Sequence, residues 1–351
     1  MLYNNYTETF SFERFGEGDT LNVTTLVKKI GDKVLGVLPE NTGDSIILRS
    51  LIEVVELRAQ ALDVLFNNPP REEESCERNG PSIAIYTPSG ELDLVNTTYI
   101  QVSELPSGSE AKRLAKEGGL VEAIYDEIES VRVKAMSPLI KEGGYCGKVF
   151  TMKSGFRGRW TSLPNKKYGG DIRVAEDVTE INDIKPLFST EGIEGISFGF
   201  YNLVQDLREK IDSIMPEIPE LLSSFEELSY LSYIGDVIVD EGPFFVCFKK
   251  GDVFLTVNKA YVAASGYTLE ELQDPRTVLY KGGEKGVVTA YVNSLKDTGH
   301  YHGLFYLTPK SGPSIPASWD TFAISSNTNT TVRIGSMAEP GLDLNSIFTS
   351  K

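Results

Sequence analysis

The chain carries one pattern twice. Asn96 and Asn258 lie 162 residues apart, and Gly155 and Gly312, each closing a Lys-Ser-Gly triplet, lie 157 apart. The two tryptophans of the chain, Trp160 and Trp319, lie 159 apart. A near-constant offset with small drifts is what a duplicated domain leaves once its loops have gained and lost residues. Each copy reads as strand, turn, strand, several short helices and then three strands. The alternation in "KVFTMKSGFRGRWTSL" and "LFYLTPKSGPSIPASWDTF" predicts a hairpin bending at Lys-Ser-Gly. The order predicts an α+β fold: two antiparallel five-stranded sheets, each with helices on one face, joined and preceded by helical segments.

Charge removes one class of function. Against 34 basic residues stand 50 acidic ones, a net charge of −16, and the basic residues form no patch that could neutralise phosphates. No nucleic-acid partner is expected. No apolar run reaches the ~18–20 residues of a spanning helix, and no basic-then-apolar export segment opens the sequence. No membrane association is expected and a cytoplasmic location is, which makes the sequons at Asn5, Asn22, Asn96 and Asn329 chance matches. Cys76, Cys146 and Cys247 read as free thiols, the last two in strands. His300 and His302 share a strand face but lack a third ligand, so no metal site is expected.

Two helical seams flank the copies. Asp44 reads as the N-cap of a helix ending near Asn67 at "NNPP". Along it Leu48, Ile52, Val55, Ala59, Leu62 and Phe66 step by 4 and 3, with Arg49, Glu53, Glu56, Arg58 and Asp63 flanking. This seam suits packing on its own domain or a dimerisation helix, with Leu48, Ile52, Val55, Leu62 and Phe66 as the dimer candidates. A second seam runs from Phe200 to Leu228 and is split at "MPEIP", with Pro219 opening its second helix. The expected organisation is an N-terminal segment 1–43 with a helical stretch "VTTLVKKIGDKVLGVL", then a helix and charged linker 44–79. A first module 80–183, a helical connector 184–235, a second module 236–340 and a tail 341–351 follow.

The second copy's "VNKAYVAASGYTLEEL" resembles the PAS family of sensor modules: strand end, Asn, short helix, Gly-Tyr, Glu-Glu-Leu. In the first copy "GELDLVN" and "RVAEDVTEINDIK" are similar to the family's pattern, although the Gly-Tyr turn is missing and the helical region is longer. Asn96 and Asn258 are expected to cap the helix after the second strand, Gly266 to end it in the second copy, and Thr268 to open the next with Glu271. The family's flavin-adduct branch needs a cysteine motif that none of these three cysteines has, and its haem branch needs a helix histidine. Both cofactors are therefore disfavoured and the ligand is left unidentified. Candidate pocket residues are Trp319, Tyr306, Phe305, Tyr291 and Trp160. No phosphate loop, kinase box or cyclase domain is present, so no enzyme is expected. The resemblance implies a tandem sensory or regulatory protein that binds a small ligand or a protein partner and signals through flanking helices, as a homodimer. The alternative is a ligand-free scaffold that binds a kinase or transcription regulator.

Overall fold

The computed structural model describes residues 22–39, 42–67, 80–141, 144–179, 181–182, 184, 186–215, 219–251, 253–274, 285–324 and 330–338. Cys76, most of the charged linker, the tail 341–351 and residues 1–21 of the N-terminal segment lie outside them. The protein is α+β, with two five-stranded antiparallel sheets. The first contains β1 (Ser82–Tyr86), β2 (Leu92–Val95), β3 (Lys148–Thr151), β4 (Arg157–Pro164) and β5 (Asp171–Asp177). The second contains β6 (Phe245–Lys250), β7 (Val253–Val257), β8 (His300–Leu307), β9 (Ile315–Ala323) and β10 (Thr330–Met337). Their strand orders, β2-β1-β5-β4-β3 and β7-β6-β10-β9-β8, are the same order written twice.

The correspondence extends to single residues. Each second strand carries a one-residue bulge, at Asp93 and at Leu255, which lie 162 apart. The Lys-Ser-Gly bends fall between β3 and β4 and between β8 and β9, with Gly155 at φ +84° and Gly312 at φ +92°, angles that a side chain would strain. Between the second and third strands of the first copy run α3 (Thr97–Ser103), α4 (Gly108–Lys116), α5 (Leu120–Ile124), α6 (Glu127–Lys134) and α7 (Ser137–Lys141). In the second copy the same place holds α10 (Lys259–Ser265), α11 (Leu269–Gln273) and α12 (Lys285–Asp297).

Ahead of each sheet stands a helical hairpin: α1 (Val23–Val37) with α2 (Gly43–Asn67), and α8 (Phe200–Ile214) with α9 (Pro219–Glu241). The hairpins pack α1 on α2, α8 on α9, α2 on α8 and α1 on α9. Exchanging one hairpin for the other maps this set of contacts onto itself. The order helix, helix, sheet thus occurs twice, and the two hairpins meet in a four-helix bundle.

The bundle explains the seams. Leu48, Ile52, Val55, Leu62 and Phe66 are all buried, together with Val27, Ile30, Val34, Val204, Leu207, Leu228 and Ile234 from the other three helices. Of the two readings of the stripe, packing within the chain is the one this core displays: the heptad residues meet helices of the same chain. The core continues into Ile83, Ile85, Ile172 and Val174 of the first sheet and Val246, Phe248, Val332 and Ile334 of the second. Because strand side chains alternate between faces, these residues define one outer face per sheet, and both outer faces press on the same bundle. At ~25 cal/mol per Å² of apolar area withdrawn from water, this shared core is the main force joining the two halves.

Three boundaries differ from expectation. The hydroxyl of Thr42 accepts from the Ser45 amide at 3.3 Å, so Thr42 caps α2, and Asp44 sits in its first turn. Helix α9 runs through Glu241, beyond the limit of 235 expected for the connector. Cys146 precedes β3 and is exposed, whereas Cys247 lies buried in β6. Among the described residues no helix is long and apolar enough to cross a membrane.

Candidate functional site

Each sheet has a second face, turned away from the bundle and covered by the short helices of its own copy. Asn96 and Asn258 build the corner where that cover begins. The Asn96 Oδ1 accepts from the amides of Ile83 (2.9 Å) and Tyr99 (3.0 Å) while its Nδ2 donates to the Pro81 carbonyl (2.8 Å). Asn258 repeats this with Val246 (3.0 Å), Tyr261 (3.0 Å) and the Phe244 carbonyl (2.6 Å). Each Nδ2 also reaches a carbonyl at the end of the preceding hairpin, Leu65 or Gly242, at 3.4 Å. One side chain thus ties first strand, covering helix and hairpin together. Gly266 ends α10 in the left-handed region, and Thr268 with Glu271 forms a capping box on α11.

On the inner face of the first copy Trp160 is buried against Tyr99, ring centroids 6.3 Å apart and nearly perpendicular. Its indole Nε1 has no hydrogen-bond acceptor among the described residues. Around it lie Phe150, Met152, Phe156, Ala84 and Ala175. At the other end of this face stands Arg173 of β5, opposite Ala84 and Ser162. Its guanidinium lies 3.8 Å from the centroid of Tyr86, and its Nε donates to Asp171 Oδ2 at 2.7 Å. Asp171 in turn faces the Ser162 hydroxyl at 3.4 Å. Tyr86 and Tyr99 share a hydrogen bond, and Tyr125 and Tyr145 lie close enough to interact electrostatically with Arg173. Burial pushes all four phenols up, Tyr145 to about 12, so each stays protonated and able to donate.

The second copy repeats this layout with other partners. Trp319 is buried between Phe245 (5.9 Å, stacked) and Tyr261 (6.0 Å, edge-on), and Phe254 closes on Tyr261 at 5.8 Å. Arg333 of β10 lies 160 residues from Arg173 and occupies its place, two positions before the residue paired with the tryptophan. Its Nη2 donates to the Tyr291 hydroxyl at 2.7 Å. Tyr291 meets Tyr301 at 5.1 Å and Phe305 at 6.1 Å. Of the five pocket candidates, Trp160, Trp319, Phe305 and Tyr291 reach inner faces. Tyr306 does not: it follows Phe305 in an extended strand and stands on the other side of the sheet. The paired arginines were missed, although the closing stretches "GGDIRVAEDVTE" and "TTVRIGSMAEP" align them at the repeat offset.

His300 and His302 stand on the outer face of β8, and both rings approach Asp320 Oδ1, at 3.2 and 2.9 Å. Burial raises the Asp320 carboxyl, but the hydrogen bonds and charge of the two histidines outweigh it and hold the group well below the usual carboxylate range. No cluster of three metal-ligating residues with suitable geometry occurs among the described residues.

No protein-family model and no curated protein matches the chain. Solved structures do. A LOV domain of a blue-light-activated histidine kinase from Erythrobacter litoralis is 14% identical, over 28% of this chain and 98% of that one, with a TM-score of 0.25. A PAS domain of an HTR-like protein from Haloarcula marismortui is 13% identical, over 32% and 96%, with a TM-score of 0.25. An RNA-binding light-oxygen-voltage receptor is 9% identical, over 74% and 95%, with a TM-score of 0.27. At such scores these likenesses decide nothing about function.

Proposed function

We propose that the protein is a tandem-PAS sensory or regulatory protein in which the inner face of the first sheet receives a small ligand. The four-helix bundle passes the resulting change to the second sheet and to a protein partner. One observation carries this reading: the outer faces of both sheets belong to a single apolar core with the bundle, so a shift in either sheet must be accommodated by the helices. In this reading the helix pairing that carries the signal is the pairing within one chain.

Specific contacts support the same route. The turn between β4 and β5 sets Tyr168 edge-on against Tyr230 and Tyr233 of α9, at 5.0 and 5.5 Å. The Tyr230 hydroxyl donates to Asp93, the bulge residue of β2, at 2.6 Å. On the other side Arg58 of α2 lies over Phe198 and Phe248 and donates to Thr256 of β7 at 3.3 Å. Each hairpin therefore sends its second helix to the opposite sheet. The segment between the copies adds a link, with Leu187 against Gly147 of the first module and Phe188 6.3 Å from Phe245 of the second.

A second reading, a scaffold with no ligand, is favoured for the second copy by its packed rings, Phe245, Phe254, Tyr261 and Trp319. The test is native mass spectrometry of the purified protein for a retained small molecule, followed by hydrogen exchange with and without it. The sensory reading expects altered protection in α2 and α9. Unchanged protection there, with ligand bound, would rule it out.

A further inference from the structure

Resting on that reading, we infer that the first copy's inner face takes a small organic carboxylate, held by the outer nitrogens of Arg173. Asp171 occupies Nε and fixes the plane of the guanidinium, and the Tyr86 ring supports it from beneath. Neither Nη1 nor Nη2 has a protein acceptor among the described residues, and the side chain keeps 22% of its surface. That leaves the two-nitrogen edge that fits the two oxygens of a carboxylate. The hydroxyls of Tyr125 and Tyr145 stand near the same charge, and neither makes a hydrogen bond among the described residues. Tyr125 also lines a cleft of about 350 Å³ that opens to the surface between Lys134, Lys153, Glu122 and Glu127.

Two features narrow the ligand class. Asp171 already neutralises much of Arg173, and the whole chain carries −16, so a phosphate dianion is disfavoured more strongly than a single carboxylate. The rest of the face is aromatic: Tyr86, Tyr99, Tyr125, Phe150 and Trp160. An apolar or aromatic body on the acid fits such walls. The internal repeat supports a role for the position. An arginine on the covered face of a sheet is costly, yet Arg173 and Arg333 both hold it, and only Arg173 has an acid two residues before it on the same face.

Isothermal titration of the full chain with benzoate, phenylacetate, benzamide and inorganic phosphate tests this assignment. Benzoate or phenylacetate should bind, benzamide should bind at least about tenfold more weakly, and phosphate should not bind. Arg173→Gln should erase the preference of acid over amide, while Arg333→Gln keeps it. Asp171→Asn should strengthen acid binding, because a competing anion is gone; a merely structural Asp171 would give no such gain. Circular dichroism of each variant separates loss of binding from loss of fold. Equal binding of benzoate and benzamide, or no binding of either acid at millimolar concentration, overturns the carboxylate assignment and leaves the sensory reading standing. An acid that binds but leaves exchange in α2 and α9 unchanged overturns the sensory reading and leaves the assignment.

Discussion

An asparagine side chain offers one acceptor oxygen and two donor hydrogens, and Asn258 uses all of this capacity while buried. Its oxygen takes the Val246 and Tyr261 amides, and its nitrogen serves the Phe244 and Gly242 carbonyls. Truncation to alanine leaves those groups buried and unmet. Asn258→Ala should therefore cost about 3 kcal/mol, read as a fall in the thermal midpoint. Asn258→Ser, which restores only part of the set, should fall between the two. The tryptophans give a second test. Trp319 lies on Gly335, where an added Cβ would stand 2.6 Å from the ring, while Trp160 leans towards Gly158 and meets Ala175 at the position of Gly335. Gly335→Ala should thus destabilise by about 1–3 kcal/mol, whereas Ala175→Gly should have a smaller effect. Asn96, Asn258, Gly266 and Thr268 were legible in the sequence because capping bonds span three or four residues. Arg173 and Arg333 were not, since an arginine in an alternating strand announces neither its face nor its burial.

The first amides of α1 and α8 are met by carboxylates from other helices. Asp63 of α2 accepts from the Val23 and Thr24 amides at 2.6 and 2.9 Å, capping α1. Asp236 of α9 accepts from Phe200 and Tyr201 at 2.8 and 3.0 Å, capping α8, and Asp240 takes the Phe198 amide at 2.8 Å. The sequence showed Asp63 and Arg58 only as charges beside a seam; which helix end lies opposite is decided by tertiary packing. Burial raises these carboxyls, that of Asp236 to about 7 despite its two amide bonds. A carboxyl whose folded pKa exceeds its unfolded value of about 3.9 gives stability that is complete below the unfolded value and is lost as pH rises through the folded one. Glu176, buried beside Arg159, is pushed up to about 7 by the same cause and adds to the trend. Asp320 has the opposite sign, but its loss falls at strongly acidic pH. Thermal midpoints should accordingly drop between pH 5 and pH 8. Asp236→Asn keeps an acceptor without the titration and should flatten that drop, by on the order of 2 kcal/mol at 1.36 kcal/mol per unit. A midpoint that rises over this range would contradict the assignment.

A heptad stripe states that a partner helix exists without stating which chain supplies it. That ambiguity is why two sheets of one strand order were legible while the matching pair of hairpins was not: the strands repeat recognisable residues, whereas the helices repeat only a spacing. Within the chain Leu62 of α2 lies against Gly235 of α9, where a Cβ on the glycine would lie 2.9 Å from the leucine methyls. Two halves that meet this way resemble the two subunits of a dimer joined by their own linker. Cooperative unfolding of such an arrangement is unimolecular, and that has a measurable consequence. Leu62→Ala should cost about 2–5 kcal/mol through the cavity it opens in the bundle. Its thermal midpoint, like that of the unaltered chain, should stay fixed when protein concentration changes roughly a hundredfold, because no second molecule enters the equilibrium. If the midpoint of either protein climbs with concentration, part of the bundle's stability comes from another chain, and pairing within the chain is not what holds these helices in solution.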